Sequence, residues 1–258
     1  MLEKAKNLKG FALEALDGRI GTVAEFYFDD RHWTVRYLVA DTGTWLDERQ
    51  ILVSPLAIGS VNWLDKTISV NQTLRQIEDG PALQTHMPIS RHFEESYHDF
   101  HGLPSYWDGS LAWGDHLDVA SAREQLDRIR KVEDTWDHHL RSSKEVAGYD
   151  LLATDGAIGH LEDFILEDAS WTFRYLVVDT RNWWPGKKVL ISPRWIDEIR
   201  WLEKKVVVLM TRNDIRTSPE YSESALLERE YEARLHRHYA RDGYWETDHA
   251  LALTIYEE

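Results

Sequence analysis

The sequence predicts a mainly β protein made of two tandem small barrels, each with a helical extension, joined by a helical linker. Three observations predict it. Sliding the 258-residue chain by 138 positions aligns residues 10–81 with 148–219 without a gap, and 29 of those 72 positions are identical. Each copy then shows short runs of β-branched and aromatic residues punctuated by Asp-Gly and Ser-Pro. Beyond those runs the apolar residues change to helical spacing. The implied boundaries are 1–81 for the first barrel, 82–145 for a helical and aromatic connecting segment, 146–219 for the second barrel, and 220–258 for a C-terminal helical extension.

Asp-Gly is a strong hairpin signal, so Asp17-Gly18 and Asp155-Gly156 are each expected to open a strand, over 20–28 and 158–166. Residues 35–40 and 173–178 follow as strands, dense in Val, Tyr, Phe and Leu. Shorter strands are expected at 51–53 and 67–70, with counterparts at 189–191 and 205–209. Pro55 and Pro193 should end the strand before them, because proline has no N–H to give to a ladder. About five short strands in a unit of this size suggest a small barrel.

Ile89, Phe93, Tyr97 and Phe100 fall at i, i+4, i+8 and i+11, and Leu227, Tyr231, Leu235 and His238 repeat the pattern, so one face of each helix should be buried. Between the copies, Ser121 with Glu124 forms a capping-box signature for a solvated helix reaching residue 139. Residues 102–114, with Pro104, Gly109 and three aromatics, read as a loop.

Composition removes several classes of function. Forty-five acidic against 30 basic residues give a net charge of −15, which offers no general attraction to phosphate backbones, so nucleic acid is not an expected partner. There are no cysteines, which excludes disulfides, thiolate nucleophiles and Cys-ligated metals and fits a reducing compartment. No apolar run approaches the ~20 residues of a membrane span, and none near the start has the length of a signal peptide. A cytoplasmic protein with no integral membrane segment is the expectation. The usual catalytic motifs, among them Gly-x-Ser-x-Gly, the Walker loop and His-Glu-x-x-His, are absent.

Glu94, His98 and His101 lie at i, i+4 and i+7 of the first predicted helix, a spacing that brings a carboxylate and imidazoles to one face as weak metal-ligand candidates. Glu232 and His236 repeat only two of the three, with Tyr239 in the third place, so no metal and no cofactor are expected; a Glu-to-His surface pair is the plainer reading. His138-His139 and His236-x-His238 also read as surface residues. Trp33, Trp63, Trp171 and Trp201 suit a barrel core. Trp45 and Trp183, in predicted loops, could cap a barrel mouth or an interface. Arg36 with Asp41, and Arg174 with Asp179, are expected to pair within the sheet. Tyr106-Trp107 and Tyr244-Trp245 follow the helices and are candidate interface anchors, unless they merely cover their own barrel.

Taken in order, Asp-Gly-x-Ile-Gly, Trp-Thr-x-Arg-Tyr-Leu-Val-x-Asp-Thr, Ser-Pro and Trp-Leu resemble the PRC-barrel domain. That domain is shared by the cytoplasmic part of the photosynthetic reaction centre H subunit and the C-terminal domain of ribosome maturation factor RimM. The resemblance covers both copies and implies a partly open barrel in each, in a bacterial protein. It supplies no catalytic residues to carry over. The function it implies is a non-enzymatic interaction or scaffold protein with an unidentified protein partner or self-association as a homo-oligomer. A pigment- or quinone-binding protein is the first alternative, and an uncharacterised enzyme the second.

Overall fold

The computed structural model describes residues 1–46, 49–81, 89, 91–107, 140–180, 186–222 and 227–246, without the side chains of Trp45 and His92. The predicted linker helix from Ser121 to residue 139, His138-His139 and Trp183 lie outside these residues.

The described chain is mainly β. In the first copy β1 (Leu2–Lys4) and α1 (Ala5–Leu8) precede β2 (Ala12–Ala15), β3 (Gly18–Asp29), β4 (Thr34–Asp41), β5 (Gln50–Val53), β6 (Ile58–Asn62) and β7 (Thr67–Val70). Two helices follow, α2 (Leu74–Glu78) and α3 (Arg91–His101). The second copy repeats the series as β8 (Leu140–Ser142), α4 (Ser143–Val146), β9 (Asp150–Ala153), β10 (Gly156–Glu167), β11 (Thr172–Asp179), β12 (Lys188–Ile191), β13 (Ile196–Arg200) and β14 (Lys205–Val208). Its helices are α5 (Arg212–Thr217) and α6 (Arg229–His238).

Both copies use one strand order, β5-β4-β3-β2-β7-β6 in the first and β12-β11-β10-β9-β14-β13 in the second. β2–β3, β3–β4, β4–β5, β6–β7, β9–β10, β11–β12 and β13–β14 pair antiparallel, and β2 with β7 and β9 with β14 pair parallel. The ladder does not close into a ring: among the described residues β5 pairs only with β4, and β6 only with β7. Ser54-Pro55 is the physical reason. Pro55 stops β5, the Ser54 hydroxyl accepts from Leu56 N–H, and the resulting 3-10 turn sends the chain to the opposite edge of the sheet as β6. β6 and β13, like the β2 and β9 strands ahead of Asp-Gly, are elements that the alternation of residues does not reveal.

Asp-Gly acts differently from the hairpin rule. The turn residues are Leu16-Asp17, since Ala15 pairs with Gly18, and neither has positive φ. Asp17 instead accepts the Leu74 N–H at 2.7 Å and so caps α2, as Asp155 does for Arg212 N–H at 2.7 Å. In the second copy Gly156 itself takes a φ of 130°, and in both copies a further glycine requirement lies along the strand. A Cβ on Gly21 would run into the Asp41 carbonyl, and one on Gly159 into the Asp179 carbonyl. Gly21→Ala is therefore expected to destabilise by at least about 1–3 kcal/mol, as a clear fall in the urea midpoint.

Contacts divide the chain into two units that do not coincide with the sequence repeats. Unit 1 holds Met1, Glu3–Val146 and Leu166–Phe173; unit 2 holds Leu2, Ala147–Ile165 and Arg174–Glu258. Unit 1 thus contains β8, which pairs with β3 through Tyr27↔Ser142, Phe28↔Arg141 and Asp29↔Leu140. Its core places the Phe173 ring edge-on to Phe26 and Phe28, with centroids 6.4 and 5.3 Å apart, while Trp33 stacks on Phe28 at 5.2 Å. Val35 N–H donates to Trp171 C=O and Phe173 N–H to Trp33 C=O, both at 2.7 Å. Trp33 and Trp171 are buried as expected of core, with positive φ (58° and 52°), a strain of about 1–3 kcal/mol that ring burial offsets. Trp63 and Trp201 are only half-buried, edge-on to Phe11 and Tyr149.

The β4–β5 surface of unit 1 is covered by α3. Tyr37, Val39, Leu52, Ile89 and Tyr97 form one buried cluster. The Tyr97 hydroxyl donates to the Leu52 carbonyl at 3.2 Å and accepts from Ser54 N–H at 3.1 Å, which fixes the helix on the strand. Phe100, the fourth member of the expected stripe, is exposed, and so is its counterpart His238. The buried face instead takes in Glu94 and His98. Among the described residues no helix is long and apolar enough to cross a membrane.

Candidate functional site

The buried face of α3 carries a polar cluster that α6 repeats. In unit 1 the hub is Tyr37 on β4, fully buried, whose hydroxyl lies 3.1 Å from Glu94 Oε1 and 3.0 Å from His98 Nε2. Glu94 and His98 reach it together because i and i+4 share a helix face. Beyond the helix, the chain turns at Gly102 (φ 63°) and returns over that face. His98 Nδ1 meets the Pro104 carbonyl at 2.9 Å, and the Tyr106 hydroxyl donates to Glu94 Oε1. Two arginines complete the cluster. Arg91 Nη1 pairs with Glu94 Oε2 at 3.2 Å and lies 4.4 Å over the Trp107 ring, and Arg36 from β4 lies 4.1 Å over the Tyr106 ring.

Unit 2 builds the same arrangement. The Tyr175 hydroxyl is 2.9 Å from Glu232 Oε1 and 3.0 Å from His236 Nε2, and His236 Nδ1 is 2.8 Å from the Asp242 carbonyl. Tyr244 donates to Glu232 Oε1 at 2.9 Å, Arg229 Nη1 pairs with Glu232 Oε2 at 2.9 Å, and Arg174 lies 4.2 Å over Tyr244. Trp245 is covered by Arg229 at 4.3 Å.

The comparison of the two copies shows what the duplication has kept. Between residues 89–107 and 227–245 the identical positions are Arg91, Glu94, His98, Tyr106 and Trp107, paired with Arg229, Glu232, His236, Tyr244 and Trp245. Every one belongs to the cluster. The apolar positions around them have drifted, Phe93 to Tyr231 and Tyr97 to Leu235 among them.

Burial sets the electrostatics. It pushes the Glu94 carboxyl up to about 7, against the opposing pull of Arg91 and the hydrogen bonds from Tyr106 and Tyr37. It pushes His98 down from its ordinary value, opposed by the Pro104 carbonyl, and His236 down likewise, opposed by the Asp242 carbonyl. Tyr37 and Tyr175 are raised well above the usual tyrosine range by burial and by the adjacent glutamate. Both rings therefore sit as neutral imidazoles beside un-ionised tyrosines at neutral pH.

This geometry corrects the surface reading of the Glu-to-His pair: Glu94, His98, Glu232 and His236 are buried. Nor do Glu94, His98 and His101 converge on a metal position. Both His98 nitrogens are engaged, and His101 Nδ1 faces Gln72 Nε2 at 2.9 Å; among the described residues no group of three His, Asp or Glu is placed to hold an ion. The expected Arg36 to Asp41 pair is also replaced. Arg36 Nη2 binds Asp29 Oδ2 at 3.0 Å across the β3–β4 hairpin, whereas Asp41 is exposed and accepts from Gly43 N–H. Arg174 turns to the Tyr244 ring, and its expected partner Asp179 is buried. Tyr106 and Trp107 lie against Glu94 and His98, with the Trp107 ring edge-on to His98 at 4.9 Å, and Trp107 and Trp245 stay half-exposed. Trp45 falls in a 3-10 turn, Gly43–Leu46.

Compared with known proteins, the chain matches no family model and no curated relative.

Proposed function

We propose that the chain is a non-enzymatic interaction or scaffold protein built from two PRC-barrel-type units, each an open version of that small β fold with its own covering helix. The observation that carries this reading is at the β6–β7 and β13–β14 turns. Leu64 and Leu202 occupy the same tip in the two copies and are fully exposed, at 95% and 102% of the accessible area of the residue. An exposed leucine taken singly is ordinary. Here Trp-Leu is kept at both tips although 43 of the 72 aligned positions (72 − 29) differ, and each tip is held in one shape by a positive-φ lysine, Lys66 or Lys204. Such a side chain packs against nothing among the described residues that would account for its retention; a partner's apolar pocket does. The two polar clusters support the same reading from the other side, because their glutamates and histidines are engaged with tyrosine hydroxyls inside the fold.

The test is a capture experiment with the full chain in native extract, alongside Leu64→Asp/Leu202→Asp. The expected result is a protein partner held by the parent and lost from the variant, with the melting temperature unchanged because exposed substitutions shift stability within about 0.5 kcal/mol. Equal capture by both would remove the tips as the binding surface. Trp107→Ala/Trp245→Ala serves as the contrast. Those rings lie on the His-Arg clusters, so the variant is expected to lose stability, by up to about 3 kcal/mol per ring, in a thermal or urea melt.

A further inference from the structure

We propose that in each copy the glutamate and the histidine share a single proton through the tyrosine hydroxyl between them, and that gain or loss of this proton unlatches the segment after the helix from the sheet. The number of hydrogens available to the three groups requires this. The Pro104 carbonyl can only accept, so His98 Nδ1 carries a hydrogen and Nε2 of the neutral ring is an acceptor. Tyr37 has one hydroxyl hydrogen but two contacts to serve, at 3.1 Å to Glu94 and 3.0 Å to His98. Both are hydrogen bonds only if one further proton is present.

With that proton on Glu94, the order is Glu94 O–H to Tyr37 O, Tyr37 O–H to His98 Nε2, and His98 Nδ1–H to Pro104. With it on His98, Tyr37 donates to the carboxylate and accepts from the ring. Remove it, and two acceptors face one hydrogen, so one contact becomes repulsive. Add a second, and both neighbours donate to Tyr37, whose own hydrogen is left buried without an acceptor. The neighbouring contacts are therefore fully made only in the one-proton state, and unmet buried groups of this kind are costly. Tyr175, Glu232, His236 and the Asp242 carbonyl obey the same count.

The other groups facing the first relay are Arg36 from β4, itself held by Asp29 of β3, Arg91, Tyr97 and His101 from α3, and Tyr106 with Trp107 from the returning segment. The second relay is faced by Arg174, Arg229, Tyr244 and Trp245, with Trp195 and the charges of Arg194 and Glu246 beside His236. In the first copy the raised carboxyl and the lowered imidazole both place the shared proton on Glu94 below about pH 7. A carboxyl raised on folding contributes stability that is fully present below its unfolded value and is lost as pH rises through about 7; a lowered imidazole contributes stability present above its unfolded value and lost as pH falls through its folded one. The relay is thus closed between the two folded values and opens on either side. What opens is the segment 103–107, because His98 and Glu94 hold it through Pro104 and Tyr106.

The experiment is a pH titration of the full chain with carboxyl and imidazole carbons resolved by NMR, and amide exchange followed over 103–107. Glu94 and His98 are expected to titrate as one linked pair. Exchange in 103–107 should rise about tenfold beyond its intrinsic pH dependence between pH 6 and 8, the equivalent of one net hydrogen bond. Glu94→Gln, whose amide always has a hydrogen for Tyr37, should hold the segment closed at pH 8. Tyr37→Phe should make the two groups titrate independently and remove the pH step. Glu94 ionised throughout pH 5 to 8, or the same step surviving in Glu94→Gln, would overturn the proposal.

Discussion

A fragment ending at residue 138 is expected to show no cooperative unfolding transition. Cut there, unit 1 loses β8, α4 and Leu166–Phe173. With them go the three-pair ladder on β3, the Ser143 hydroxyl that accepts Phe26 N–H at 3.1 Å, and the ring of Phe173 against Phe26 and Phe28. Removing a buried phenylalanine ring alone costs about 3–5 kcal/mol, a large part of the ~5–15 kcal/mol that holds a typical domain together. The exposed edge of β3 at Tyr27–Asp29 adds an aggregation hazard. Urea unfolding by fluorescence, with size-exclusion chromatography, checks this: a sharp transition from a monomeric fragment would contradict the fold assignment. In the full chain, Phe173→Ala isolates the ring and should lose about 3–5 kcal/mol.

Arg36→Met is expected to be nearly as damaging. Arg36 is 1% exposed and its partner Asp29 5%, so among the described residues the substitution leaves the buried carboxylate with the His32 ring, 2.8 Å away, and backbone donors. Breaking one side of a buried pair costs about 3–5 kcal/mol, and Asp29→Asn in the same chain should recover part of it. The pH profile carries an independent signature. Burial pushes the Asp29 carboxyl up, but His32 and Arg36 outweigh it and hold it below the usual range. A carboxyl lowered on folding contributes stability that is present above its unfolded pKa and lost as pH falls through its folded one. The acid limb of the melting curve should therefore flatten in Arg36→Met; an unchanged limb would mean that the pair contributes nothing.

Much of the fold was legible because the chain states it twice. The 138-residue offset locates β3, β4, β5 and β7 with their partners, and the helical stripes locate α3 and α6 to within about two residues. What was hidden is non-local. β2 (Ala-Leu-Glu-Ala) and β6 (Ile-Gly-Ser-Val-Asn) carry no run of β-branched or aromatic residues, and their ladder partners make them strands. The sequence places Arg36 five residues from Asp41, yet on a strand an odd separation puts the two on opposite faces, and the hairpin brings Asp29 across instead. Glu94 and His98 read as a surface pair because Glu and His at i, i+4 usually are one. The signal that corrects this was present: in the helical half the identities Arg91, Glu94, His98, Tyr106 and Trp107 are all polar or aromatic, while the apolar stripe varies, the reverse of what a solvated face retains.

The division of unit 1 also bears on synthesis. A ribosome has delivered every residue of the first repeat well before Phe173 emerges, and at about 5–20 residues per second the 35 residues between 138 and 173 take roughly 2–7 s. During that interval the β8 partner of the β3 edge is supplied at once, but Phe26 and Phe28 still lack the Phe173 ring that packs edge-on to them. The first repeat, once made, is therefore still an incomplete fold, and it is completed only by residues that belong to the second repeat.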